Sequence, residues 1–212
     1  MADLHFHFDP VCPWAYITSR WVVEVQRQRE YDVSWKFISL RMINEARGYD
    51  EGSKAWADAH MAGLKMLRVA SAGRTAAGNQ AVSDVYTALG NAIHRQGRAD
   101  EFYADPKGFV GKVLGEAGLD PAWAKAADDS LHDEVIRHET DTALAATGKD
   151  VGTPILIFRP RSPEQAAFFG PVISSIPKGE QALKLWDAVE TLALTSGLAE
   201  LKRSLRAAPN FD

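Results

Sequence analysis

The residues best placed to do chemistry lie in one short stretch, FDPVCPWAYITSRW, from Phe8 to Trp21. It holds the only cysteine of the chain, Cys12, followed by Pro13, Trp14 and Ala15. Proline suits the first turn of a helix, where its missing N–H is no loss, so Cys12 falls at the N-cap. There the helix dipole and unpaired backbone N–H groups favour a thiolate. Such a position can bring a thiol from about 8.5 down to between roughly 3.5 and 7.5. Cys12 is therefore expected to be a nucleophile near neutral pH. The competing reading is a small buried hydrophobe, the commonest fate of a lone cysteine. The two flanking prolines, Pro10 and Pro13, count against it.

The elements that must carry this turn follow from the flanking pattern. Leu4 to Phe8 alternates as a short strand and is stopped by Asp9 and Pro10. Trp14, Ile17, Trp21 and Val25 recur at helical spacing, and Val33, Trp35 and Phe37 alternate as a second strand. Strand, helix, strand in this order is a βαβ unit with a right-handed crossover. From about residue 44 to 148 the chain is alanine-rich and helical. A first helix is expected over Ser53 to Gly73, closed by that glycine. A second carries the stripe Val82, Val85, Leu89 and Ile93 up to Gly97. Shorter helices are expected at Phe109 to Glu116 and after Pro121, and a further one presents Leu131, Val135, His138 and Ala145 on one face.

Strand character returns at Thr153 to Phe158 and Ala166 to Gly170, which read as a hairpin around the turn RPRSPEQ. A helix opened by Pro177 and a last short helix over Leu198 to Leu205 complete the chain. Without its middle, the order βαβ–ββα is that of a thioredoxin-like α/β fold. The expected organisation is a thioredoxin-like domain from residues 1–43 and 149–212, with residues 44–148 inserted as an all-helical domain.

Thr153 and Pro154 open the third strand, where proline is sterically permitted and where a cis bond held for function is an alternative. His94 lies beside an apolar stripe with Tyr86 and Gly90, either facing a cleft or bonded between helices. His5 and His7 share one face of the first strand; with no third ligand in view, packing is favoured over a metal site. His138 is expected in the core or an interface. Asp9 is a candidate proton acceptor, although an Asp-Pro pair more often ends a strand. Arg20 has no assignable role.

Composition narrows the partners. A hydrophobic share of 46% and a charged share of 25% are ordinary globular values. A net charge of −4, with both signs interspersed, disfavours nucleic acid and anionic membranes. No stretch nears the roughly 18 apolar residues of a membrane span, and the N-terminus lacks the pattern of an export signal. The cytoplasm, where thiols stay reduced, is the expected location.

Together, FDPVCPWAYITSRW, VGTPILIF, FFGPVISSIPKGEQALKLWD and the terminal PNFD resemble the DsbA-like branch of the thioredoxin superfamily. The chain looks most like the mycothiol-dependent nitroreductases of actinobacteria, and YTALGNAIHRQG is similar to that family's helical domain. The resemblance implies that Cys12 attacks and that Thr153 and Pro154 form a cis-proline loop opposite it. It also groups Pro13, Trp14, Ala15, Tyr86 and His94 as residues that meet the substrate or thiol.

Two departures stand out: Ala15 replaces the second cysteine of better-known members, and the turn at 159–165 is longer than a tight hairpin needs. A monothiol can still form a mixed disulfide, but a thiol from solution must resolve it. The expected activity is thus a monothiol oxidoreductase using mycothiol or a similar thiol, acting on disulfides or nitroaromatics, with no bound cofactor or metal. Two alternatives stay open. One is a thiol-dependent isomerase or transferase like the kappa-class glutathione transferases and hydroxychromene carboxylate isomerases. The other is a non-catalytic peptide-binding module. A homodimer is also left open.

Overall fold

The computed structural model describes residues 2–45, 48–49 and 54–212. Its centre is a four-stranded sheet in the order β2–β1–β3–β4. Strand β1 is Leu4–Phe8, β2 Val33–Phe37, β3 Ile155–Phe158 and β4 Ala166–Phe169. β1 pairs parallel with β2 and antiparallel with β3, and β3 with β4 closes the hairpin. The parallel pair is joined by helix α1, Pro13–Gln28, as the βαβ reading expects.

Alternation along β1 sends Leu4, Phe6 and Phe8, all fully buried, into the main core. Helix α7, Gly179–Leu194, packs with α1 over that core. Their contact is anchored by Trp21, whose indole N–H donates to Ala182 O at 3.0 Å and whose ring meets Trp186 edge-on at 5.1 Å. Side chains of this size are each worth roughly 1.5–3 kcal/mol when fully buried. The other face of the sheet carries Ile155 and Ile157 against Ala143 of helix α6, Asp133–Thr147.

The chain between β2 and β3 builds helix α2 (Leu40–Glu45), the long α3 (Lys54–Gly90), a π-helical turn (Asn91–Arg95), α4 (Ala99–Ala104) and α5 (Pro106–Glu116). A 3₁₀ segment, Pro121–Asp128, follows. Gly73 does not end a helix, contrary to expectation. Its bare Cα packs against Trp123, and the α-helical path breaks later, at Gly78 (φ 81°, ψ −167°). Ser53 lies outside the described residues.

Two further expectations are corrected. On α6 the buried face is Ile136, Glu139, Thr140 and Ala143, while Leu131 and His138 are exposed. The polar pair is buried because it supplies hydrogen bonds that β2 lacks: Glu139 accepts from Phe37 N at 2.9 Å, and Thr140 Oγ1 from Ser39 N at 3.0 Å. No helix forms over Leu198 to Leu205. Leu201 and Leu205 are 76% and 88% exposed, and so short a helix has little stability without an apolar face to bury.

Near the start of α1, helix α3 approaches so closely that a Cβ on Gly90 would lie 2.4 Å from Tyr16 Cδ2. Tyr16 is itself buried, so its ring has little room to yield. Gly90→Ala is expected to lower stability by about 1–2 kcal/mol, overpacking outweighing the gain in helix propensity. Gly115→Ala, with open space around it, should gain about 0.5 kcal/mol. Urea midpoints of the two variants check the pair.

Candidate active site

Strand β1 ends in a turn tied by Asp9, which is fully buried. Its carboxylate accepts from Val11 N at 3.1 Å and from Leu40 N at 2.8 Å, and its carbonyl accepts from Cys12 N at 3.1 Å. The turn delivers Cys12 to the N-cap of α1 in an extended conformation (φ −79°, ψ 112°), with Pro13 opening the helix. The Ala15 N–H donates to Cys12 Sγ at 3.5 Å. From a position 141 residues further along the chain, Thr153 O accepts from the thiol at 3.5 Å. The Thr153–Pro154 bond is cis. Thr153 Oγ1 donates to His7 O at 3.3 Å and Pro154 O accepts from Gly170 N at 2.8 Å, so both ends of this loop are held. A second cis bond, Gly170–Pro171, was not anticipated; its Pro171 O accepts from Thr18 Oγ1 of α1 at 2.8 Å.

The electrostatics depart from expectation. Cys12 is only 8% exposed, and burial pushes its thiol up to about 11. The N–H groups of Ala15 and Trp14 act the other way but are outweighed, and the nearby Asp9 charge adds to the rise. The helix start therefore does not by itself hold a thiolate at neutral pH, because desolvation exceeds what the two N–H groups restore. Asp9 is likewise raised by burial, to about 7, against the pull of its bonds to Leu40 and Val11. Its folded value lies above the ordinary 3.8, so it favours the fold fully below about pH 4. That contribution is lost as pH rises through 7.

The other expected residues are distributed around the sulfur in distinct layers. Ala15 is fully buried, so the place of a second cysteine is sealed by packing. Tyr86 is also buried, stacked on Phe8 at 3.8 Å, and its hydroxyl titrates high through burial and the proximity of Cys12. It underlies the site rather than lining an open cleft. His94 stands in the π-helical turn, and its Nε2 lies 2.8 Å from Pro10 O. A carbonyl only accepts, so Nε2 carries the proton and donates. His94 thus steadies the Pro10–Cys12 turn. Pro13 and Trp14 are half-buried at the rim. His5 and His7 meet edge-on at 6.4 Å, and the described residues form no group of three or more metal-type ligands.

Two contributors carried no clear signal in the sequence. The C-terminal segment crosses the start of α1: Arg206 lies over Trp14, Asn210 N donates to Ser174 O at 2.7 Å, and Phe211 stacks on His94 at 5.6 Å. Phe211 is the one aromatic residue after Trp186 and lies in the terminal PNFD that the family resemblance includes, but neither fact assigns it a contact. Arg20 sits over Tyr16 and Tyr86, bonded to Thr87 Oγ1 at 2.7 Å and Ser19 Oγ at 3.2 Å.

Alkylation of Cys12 by iodoacetamide should accelerate with pH by about tenfold per unit and level off only near pH 11. A plateau already reached at pH 7 would contradict this electrostatic account.

Comparison with known proteins gives the family and the fold. Residues 11–203 match the family described as Rv2466c-like, mycothiol-dependent nitroreductase Rv2466c. The uncharacterized protein Rv2286c of Mycobacterium tuberculosis is 32% identical over 206 residues, covering 96% of this chain and 82% of that protein. Among solved structures, the cytosolic disulfide reductase DsbM from Pseudomonas aeruginosa with GSH aligns with a TM-score of 0.52 at 14% identity, over 78% of this chain and 88% of DsbM. A putative protein disulfide isomerase from Nitrosomonas europaea gives 0.54 at 12% identity, over 89% and 97%. At such identities these structures establish the fold, a thioredoxin-like domain with a helical insertion of the DsbA type. The match over nearly the whole length makes the chain a member of the Rv2466c-like family of mycothiol-dependent nitroreductases.

Proposed function

We propose that this thiol-dependent oxidoreductase works as a monothiol enzyme, with Cys12 as nucleophile and Asp9 as acceptor of its proton. The observation that carries the reading is the lone Cys12 at the helix start opposite Thr153 and cis-Pro154, with Ala15 where a resolving thiol would stand. At neutral pH the resting thiol is protonated, and the adjacent carboxyl titrates near 7, where a general base is most effective. As Cys12 sulfur attacks a disulfide R–S–S–R′, its proton passes to Asp9. A Cys12–S–S–R bond forms, and R′–S⁻ leaves. A second small thiolate then attacks the R sulfur, and Cys12 departs with the bonding electron pair and regains its proton. A high-pKa thiol is the stronger nucleophile once deprotonated, so burial shifts the burden from thiolate population to proton transfer.

The resolving thiol is a low-molecular-weight one, mycothiol by the family's description, drawn from a reducing cytoplasm. The same description supports a nitroaromatic acceptor: two thiols reduce a nitro group to nitroso, giving one disulfide and one water. The half-buried Trp14, at the rim beside Cys12, offers the aromatic surface.

One observation favours a second reading, thiol-dependent transfer or isomerisation: a protonated Cys12 can bind a thiol cofactor without bonding to it. Intact mass spectrometry separates the two. After incubation with oxidised mycothiol or glutathione disulfide, the redox reading expects one thiol adduct on Cys12, cleared by excess small thiol and absent in Cys12→Ala. Unmodified protein with full turnover in Cys12→Ala would overturn it. Ala15→Cys should convert the site to a dithiol, isolated as an intramolecular disulfide that no longer accumulates the adduct. Accumulation as in the parent protein would show that position 15 cannot resolve.

A further inference from the structure

At the end of the sheet remote from Cys12, the residues are arranged for a different ligand. β1 runs toward Cys12, so His5 lies near its far end. The register sets Ser34, His5, Ile157 and Ala167 in one row across the four strands. Helix α6 roofs this row, and the β3–β4 turn walls one side. Between them is a half-open cleft of about 580 Å³, whose lining includes His5, Ser34, Lys36, Arg161 and Gln165. That volume is in the range of sites that take small metabolites.

The charge is one-sided. No aspartate or glutamate lines the cavity. Glu139, whose charge bears on His5, is shared between Lys36 at 3.1 Å and Arg74 at 2.8 Å, and also takes the Phe37 N–H. Lys36 therefore keeps donors to spare. Arg161 has no ion pair among the described residues. Its backbone N–H is the part that is bonded, to Gln165 Oε1 at 2.8 Å. The turn is braced from within, by Ser162 N to Arg159 O at 3.1 Å and Gln165 N to Ser162 O at 3.1 Å. Arg161 is thus held at the rim, in a left-handed conformation (φ 67°). The charges of Lys36 and Arg161 both bear on His5, which burial and these cations keep neutral, down to about 4.

We propose that this cavity binds a small phosphate-bearing metabolite, with the phosphate between Lys36 and the Arg161 guanidinium. A planar fork and a point charge lining one cavity suit a phosphate. Ser34 and Gln165, also in the lining, supply polar groups for the hydroxyl-bearing body of the ligand. This gives the lengthened turn a task that a tight hairpin could not perform, since it carries both Arg161 and Gln165 to the rim.

The test uses the whole chain and three probes: ribose 5-phosphate, ribose and inorganic phosphate, titrated by calorimetry and by amide NMR. Ribose 5-phosphate should bind at least about tenfold more tightly than ribose, shifting resonances of Ser34 and Lys36. Arg161→Ala should weaken it at least about tenfold without altering thermal stability or Cys12 alkylation. No binding at millimolar ester, or unchanged binding in Arg161→Ala, would overturn the site. Equal affinity for inorganic phosphate and the ester would overturn the metabolite assignment.

Discussion

The structure around Cys12 depends on one buried carboxylate. Asp9 ends β1, caps the turn through Val11 N, and reaches across to Leu40 N at the start of α2. A single side chain thus joins the reactive turn, the sheet and the inserted helices. α3 is shaped to admit it, for a Cβ on Gly63 would lie 2.3 Å from Asp9 Oδ1. A carboxyl placed so deeply resists ionisation, and its charge when formed makes its neighbour Cys12 harder to ionise. Through the neutral range Asp9 ionises while Cys12 keeps its proton.

Burial reconciles a helix start with a protonated thiol. Two backbone N–H groups point at the sulfur, which is ordinary anion-binding geometry. Yet the sulfur is enclosed by the Thr153–Pro154 loop, Ala15 and Tyr86, and enclosure dominates. His94, backed by Phe211, fixes the turn from the remaining side. Cys12 is the one cysteine of the chain, so no second thiol can resolve an adduct from within. In the proposed cycle the resolving thiol comes from solution, in keeping with the family's description.

Much of this was legible in the sequence where local rules decide. Proline after Cys12 admits few conformations, so the helix start was readable, and alternation exposed the strands. The loop facing Cys12 was expected from the family resemblance, since a proline at a strand start is locally compatible with either isomer. What escaped depended on tertiary burial. The thiol's acidity was misjudged because the local N–H groups are visible in sequence while desolvation is not. The face of α6 was misphased because Glu139 and Thr140 turn inward to bond β2, and hydrophobic periodicity does not count such residues. The segment over Leu198 to Leu205 has helical spacing but nothing to bury it against. Phe211 closes the aromatic cluster from the end of the chain, a contact no spacing rule announces.

The central claim is that Asp9 takes the proton from Cys12, and the Asp9→Asn variant tests it most directly. Removing the charge should lower the alkylation pKa of Cys12. Losing the proton acceptor should nonetheless slow attack on a small disulfide at neutral pH, by about 10²-fold or more. A lowered thiol pKa together with slowed attack is the predicted result. Attack as fast as in the parent protein, or faster, would contradict the account.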